Sequence, residues 1–124
     1  MKIIYVAGPF FGQNAWEIEQ NIRRAESLGL DVARAGAMPV IPHTNNRFFF
    51  GTLPEEFWRA GVMELLRRCD AVIFVPGWER SSGAVAERAE AERLGLPCFD
   101  SVAQLTSWLR EHSTEAVFIG RVPA

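Results

Sequence analysis

The stretch from Cys69 to Glu87 constrains the fold more than any other part of the chain. Ala71 to Val75 is a continuous apolar run closed by Pro76-Gly77. That is the pattern of a short strand covered on both faces, and such strands belong to parallel sheets. Beyond it, Ser81 or Ser82 fits an N-cap, Ala84 to Leu94 is rich in helix formers, and Gly95 ahead of Pro97 is a helix stop. In an open α/β sheet, ligands bind outside the carboxyl ends of the strands, where the helices begin. Ser81, Ser82, Gly83 and Glu87 therefore fall at the binding end. A carboxylate near a helix N-terminus is expected to be held ionised by the helix dipole.

The rest of the chain repeats this alternation. Strands are expected at Ile3 to Ala7, Met38 to Ile41, Ala71 to Val75 and Pro97 to Phe99, and helices at about Asn14 to Ala35, about Pro54 to Arg68, Gly83 to Leu94 and Val102 to Glu111. The order predicts right-handed crossovers and an α/β fold. We expect one domain over residues 1–124, a doubly wound (flavodoxin-like or Rossmann-like) parallel sheet of four to five strands flanked by helices. Val117 to Ile119 is the candidate fifth strand. Ile18, Ile22, Ala25, Leu28 and Val32 form the inward stripe of the first helix, and Gly29 is expected to weaken or split it. Ser101 and Gln104 form a capping box for the last helix.

With 124 residues, 48% of them hydrophobic, one core is enough, and the net charge of -2 leaves no basic stripe. A small-molecule ligand is therefore expected, with no nucleic-acid and no membrane partner. No run approaches the ~18 apolar residues of a membrane span. Ile3 to Ala7, followed by Gly8-Pro9, fits a strand better than a signal peptide, so a cytoplasmic location is expected. Cys69 and Cys98 lack metal-ligand spacing and are expected to be structural thiols, with no metal and no cofactor in the site. Asp70 lies at the amino end of its strand and is expected to be structural.

Three segments meet at the carboxyl end of such a sheet: Gly8-Pro9-Phe10-Phe11-Gly12, Pro42-His43-Thr44-Asn45, and Pro76 through Glu87. Together they would form a cleft. His43 can address a ligand or donate a proton, or be tied to the loop backbone instead. Trp78 can stack on a ring or anchor its own loop. Phe48-Phe49-Phe50, inside the irregular stretch from Pro42 to Leu53, would close over a ligand, pack on a second subunit or lid the core. His112 is expected to be a favourable charge at a helix end.

The ordered segments Ile4-Tyr5-Val6-Ala7-Gly8-Pro9, Pro39-Val40-Ile41-Pro42-His43, Cys69-Asp70-Ala71 through Gly77-Trp78, Ser81, Gly83 and Glu87, then Ala91, Leu94-Gly95 and Pro97, are shared with one superfamily. Over Ile3 to Phe99 the chain resembles the nucleoside 2-deoxyribosyltransferase superfamily, which includes deoxynucleotide N-glycoside hydrolases, and within it the small deoxyribosyltransferase-like domains of unknown function. The resemblance implies that Glu87 is the nucleophile on the sugar's anomeric carbon and that Tyr5 orients its carboxylate. It implies that Gly8 lets the first loop approach the substrate. It also implies that Ser81, where the nucleoside transferases tend to carry an aspartate, suits a 5'-phosphate. Two family features are replaced: Phe11 stands where the hydrolases carry a phosphate-binding arginine, and Val62 stands near the position of an acidic residue. Phosphate binding is then left to Ser81, Ser82 and backbone amides unless Arg80 or Arg47 reaches in, and Glu55, Glu56 or Glu64 could substitute for the acid, with nothing in the sequence to choose among them.

The expected function is cleavage or transfer of the N-glycosidic bond of a nucleotide or nucleoside. Glu87 and Tyr5 would be catalytic, and Gly8, Pro9, Phe10, His43, Trp78, Ser81, Ser82 and Gly83 would bind substrate. A non-catalytic nucleotide sensor of the same fold is the alternative, and a flavin-binding module a third, though the first loop lacks the hydroxyls that would cradle a flavin phosphate. A homodimer is expected, in which the resemblance implies that a neighbouring subunit completes the site.

Overall fold

The structure is a computed structural model that describes residues 1–112, so the expected strand over Val117 to Ile119 lies outside the described residues. The elements are β1 (Ile3–Ala7), α1 (Ala15–Arg34), β2 (Met38–Val40), α2 (Pro42–Asn45), α3 (Glu55–Arg67), β3 (Ala71–Phe74), α4 (Ser82–Leu94), β4 (Cys98–Phe99) and α5 (Val102–His112). The four strands are parallel, in the order β2-β1-β3-β4. This is the mixed α/β, Rossmann-like or flavodoxin-like arrangement expected. No helix among the described residues is long and apolar enough to cross a membrane.

Side chains alternate across the sheet as strand geometry requires. Ile4, Val6, Ala71 and Ile73 pack on one face with Ala25 and Val32 of α1 and with Leu105 and Leu109 of α5. Tyr5, Ala7, Val72 and Phe74 pack on the other with Leu66 of α3 and Ala91 of α4. After β1 the chain leaves toward the α1 face, and after β3 toward the α4 face. The divergence opens a crevice at the carboxyl ends of these two central strands, the topological switch point where such folds hold ligands.

Local details follow the side chains. Asn14 caps α1 by accepting from the amide of Glu17 at 2.9 Å, and Ser101 accepts from that of Gln104 at 3.2 Å. The Gln104 side chain reaches back to the amide of Asp100, one residue before the cap. Asp70 accepts from the amide of Ile3 at 2.8 Å and so pins β1 to the turn before β3. The stretch after β2 is not wholly irregular, because Pro42 starts the short helix α2.

Two glycines have reasons the sequence does not show. α1 runs unbroken through Gly29, so the expected split does not occur. A Cβ there would sit 2.3 Å from the Ile41 side chain, so the bare backbone lets the helix settle against the end of β2. Gly8 makes room for Val75, whose Cγ2 and Cβ would lie 2.7 and 2.8 Å from an added Cβ, while the amide of Val75 donates to the carbonyl of Ala7. Close packing of two chain segments explains Gly8 without a ligand. Gly8→Ala is therefore expected to destabilise the fold by about 1–3 kcal/mol. Val75→Gly, which removes both of these atoms, should make the double variant's loss in urea denaturation less than the sum of the single losses.

Candidate active site

Tyr5 is fully buried on the α4 face of β1, and its hydroxyl donates to the carboxylate of Glu87, which is itself 9% exposed. Glu87 is brought there by its helix. Ser81 caps α4, its Oγ accepting from the amide of Ala84 at 3.2 Å, and Glu87 lies beyond the first turn on the face that also buries Ala84 and Ala91. Burial pushes the carboxyl of Glu87 from its ordinary 4.5 up to about 7, with the Tyr5 hydrogen bond opposing the rise. The expectation of a carboxylate held ionised by the helix dipole therefore fails. The dipole acts within the first turn, and desolvation wins where Glu87 sits. The phenol of Tyr5 is pushed well above its usual range, by burial first and by the neighbouring carboxylate second.

Tyr5 and Glu87 open into a cavity of about 400 Å³, within the range of small-molecule sites. Gly8, Phe10, His43, Ser81, Ser82 and Gly83 of the expected set also line it. Pro9 and Trp78 do not. The carbonyl of Pro9 accepts instead from His43, and Trp78 packs on Phe74 with the Arg88 guanidinium over both rings, the anchoring role.

His43 is buried, and its Nε2 lies 3.1 and 3.0 Å from the carbonyls of Gly8 and Pro9. Two acceptors fix the proton on Nε2, so Nδ1, which has no partner, carries a lone pair. Burial lowers the imidazole's pKa and keeps it neutral. In this state His43 ties two loops together and has no free proton for a leaving group. The first loop has a second tie: the Asn21 amide donates to the carbonyls of Phe10 and Phe11.

The remaining walls come from α3 and from residues 46–53. Glu55, Trp58, Arg59 and Val62 line the cavity at the i, i+3, i+4, i+7 spacing of one helix face. That periodicity was present in the sequence, but nothing there told a cavity-facing stripe from a core-facing one. Of the three glutamates proposed to stand in for the missing acid, Glu55 lines the cavity, paired with Arg59 at 2.9 Å, while Glu64 pairs with Arg67 and Arg68 on the outside. Arg80 lines the cavity, whereas Arg47 is bound to Glu19 of α1. The three phenylalanines divide their work. Phe50 lines the cavity edge-on to Phe11, Phe49 stacks on Trp58, and Phe48 stands 80% exposed beside Arg47.

Residues 2–100 match the family described as "Domain of unknown function (DUF7768)". No curated protein matches the chain.

The burial of Glu87 makes stability depend on pH with a definite sign. Below pH 4.5 the carboxyl is protonated in both folded and unfolded chains. Between 4.5 and about 7 the unfolded chain sheds a proton the folded chain keeps, so stability falls, and above that range the loss is complete at about 3 kcal/mol. Urea denaturation should therefore find Glu87→Gln gaining on the wild type as the pH is raised from 4 to 8. A pH-independent difference between the two proteins would contradict the burial of an ionisable group.

Proposed function

The chain belongs to the family described as a domain of unknown function, DUF7768, and we propose that it breaks or transfers the N-glycosidic bond of a nucleoside 5'-monophosphate or nucleoside through a glycosyl ester of Glu87. The observation that carries this reading is the carboxylate of Glu87, buried at the cavity and oriented by the Tyr5 hydroxyl. The ionised carboxylate attacks C1', the C1'–N bond breaks, and its electron pair leaves with the base. Water or a second base then attacks C1' and the carboxylate departs. Tyr5 holds one carboxylate oxygen and so leaves the other for attack.

A phosphate subsite is part of the same proposal. Ser81, Ser82, Gly83 and Arg80 line one part of the cavity where α4 begins. Ser81 Oγ uses a lone pair on the helix cap, and its hydroxyl proton remains for a phosphate oxygen. We propose that the protein works as a homodimer, because Phe48, Leu53 and Phe57 expose apolar surface that a second copy would cover. The second reading, a nucleotide sensor without turnover, is favoured by one feature, the apolar Val62 in the wall where an acid would assist the base.

Release of free base from a panel of nucleotides and nucleosides tests the reading. Glu87→Gln should lower kcat at least about a thousandfold while leaving binding measurable. Saturable binding with no released base and no glycosyl adduct in the wild type would establish the sensor instead. Activity should rise with pH through an apparent pKa near 7 as Glu87 ionises. Tyr5→Phe removes a hydrogen bond to the charged form, so the same profile should move to higher pH, and an unmoved profile would separate Tyr5 from the nucleophile.

A further inference from the structure

Among the described residues Glu87 is a carboxylate without a counter-ion. Its hydrogen-bond partner is the neutral Tyr5, and among the described residues no cationic side chain is bonded to it. The arginines that line the cavity are placed elsewhere: Arg59 is paired with Glu55, and Arg80 stands exposed just before α4. The aglycone would meet a largely apolar lining of Phe10, Phe11, Phe50, Leu53 and Val62. Phe11 and Phe50 are both more than half exposed and meet edge-on with ring centroids 5.1 Å apart.

Proton supply on the leaving-group side is equally sparse. His43 has committed its one proton to two carbonyls, and Glu55 is ion-paired and half exposed. An ordinary nucleobase needs a proton, or must leave as an anion, when the C1'–N pair returns to it. A ring whose nitrogen is quaternary because of the glycosidic bond needs none: the returning pair neutralises its positive charge, and it departs as a neutral molecule. Such a ring also brings the missing charge to Glu87 and suits the faces of exposed aromatic side chains.

Resting on the glycosidic reading above, we propose that the preferred substrate is an N-glycoside of a cationic heteroaromatic ring, a pyridinium-type or N-alkylated purine nucleotide, with the ring acting as counter-ion to Glu87 until it leaves. The bonds balance: C1'–N breaks, C1'–O to Glu87 forms, and water then releases the sugar phosphate, giving its proton to solvent and restoring the carboxylate.

Matched pairs that differ in ring charge test this. N7-methylguanosine monophosphate is compared with guanosine monophosphate, and nicotinamide mononucleotide with its 1,4-dihydro form. In the wild type the cationic member should bind at least about tenfold tighter and release its aglycone at least about a hundredfold faster. Because a cation is intrinsically the better leaving group, the deciding measurement is binding. The tenfold preference should collapse in Glu87→Gln, with retained binding of the neutral member showing that the variant is folded. Equal affinity for both members, or a preference that survives Glu87→Gln, would overturn the inference. Glu87-dependent release from neutral nucleotides at equal rates would overturn it too, while leaving the glycosidic reading standing. Absence of release from every member would remove both.

Discussion

The hydrogen bond from Tyr5 to Glu87 is the constraint on which the site depends, and it is set by strand register. Along β1 the side chains alternate, so Tyr5 shares the α3/α4 face with Ala7, while Ile4 and Val6 supply the core under α1 and α5. A one-residue slip of β1 would bury the phenol under α1 and leave Glu87 without its partner. The pairing of Tyr5 with Val72 on β3 and with Val40 on β2 holds the register from both sides. The apolar sheet thus fixes this polar contact near its carboxyl end.

The cavity is walled by elements that also serve the core. α3 sends Leu66 into the hydrophobic layer near its end, while the residues toward its beginning face the cavity. The loops over the opening are fastened at separate points. Asn21 and His43 hold the backbone of residues 8–11, and the Arg47–Glu19 pair ties the aromatic segment to α1. Arg67 joins α3 to α4 through Glu90 at 2.8 Å, which holds together the two helices that flank the site. The fastened positions lie on different elements, so the site's shape follows from the tertiary fold rather than from any single loop.

How much of this was legible depends on the range of the interaction. The strands, the helices and their alternation are written in short-range periodicity, and the Ser81 and Ser101 caps in local side-chain chemistry. Glu87, Gly8, His43 and the serines could be gathered at one end because chain order in a parallel sheet fixes which end each loop occupies. What escaped needed distances between segments far apart in sequence. Gly29 answers to Ile41, Gly8 to Val75 and Trp78 to Arg88, and none of these partners is marked by a local pattern. The protonation of Glu87 escaped for the same reason. Its position in α4 suggested the helix dipole, whereas the deciding influence is the depth at which β1 and the cavity walls enclose it.

That enclosure bears on whether the pair exists for stability. A buried carboxyl whose hydrogen-bond partner among the described residues is a neutral phenol weakens the fold wherever it ionises, and an apolar residue of similar size would remove the loss. Core positions a turn further along α4 are filled in that simpler way, by Ala91. The costly choice occurs where the helix borders a cavity at the end of the central strands, and there a group poised near neutrality can pass between protonation states in response to what enters. A ligand that stabilises the charge recovers the energy that folding gave up. Binding and ionisation are then coupled through one carboxyl group, and an unoccupied site keeps that group partly protonated until a charge-stabilising ligand arrives.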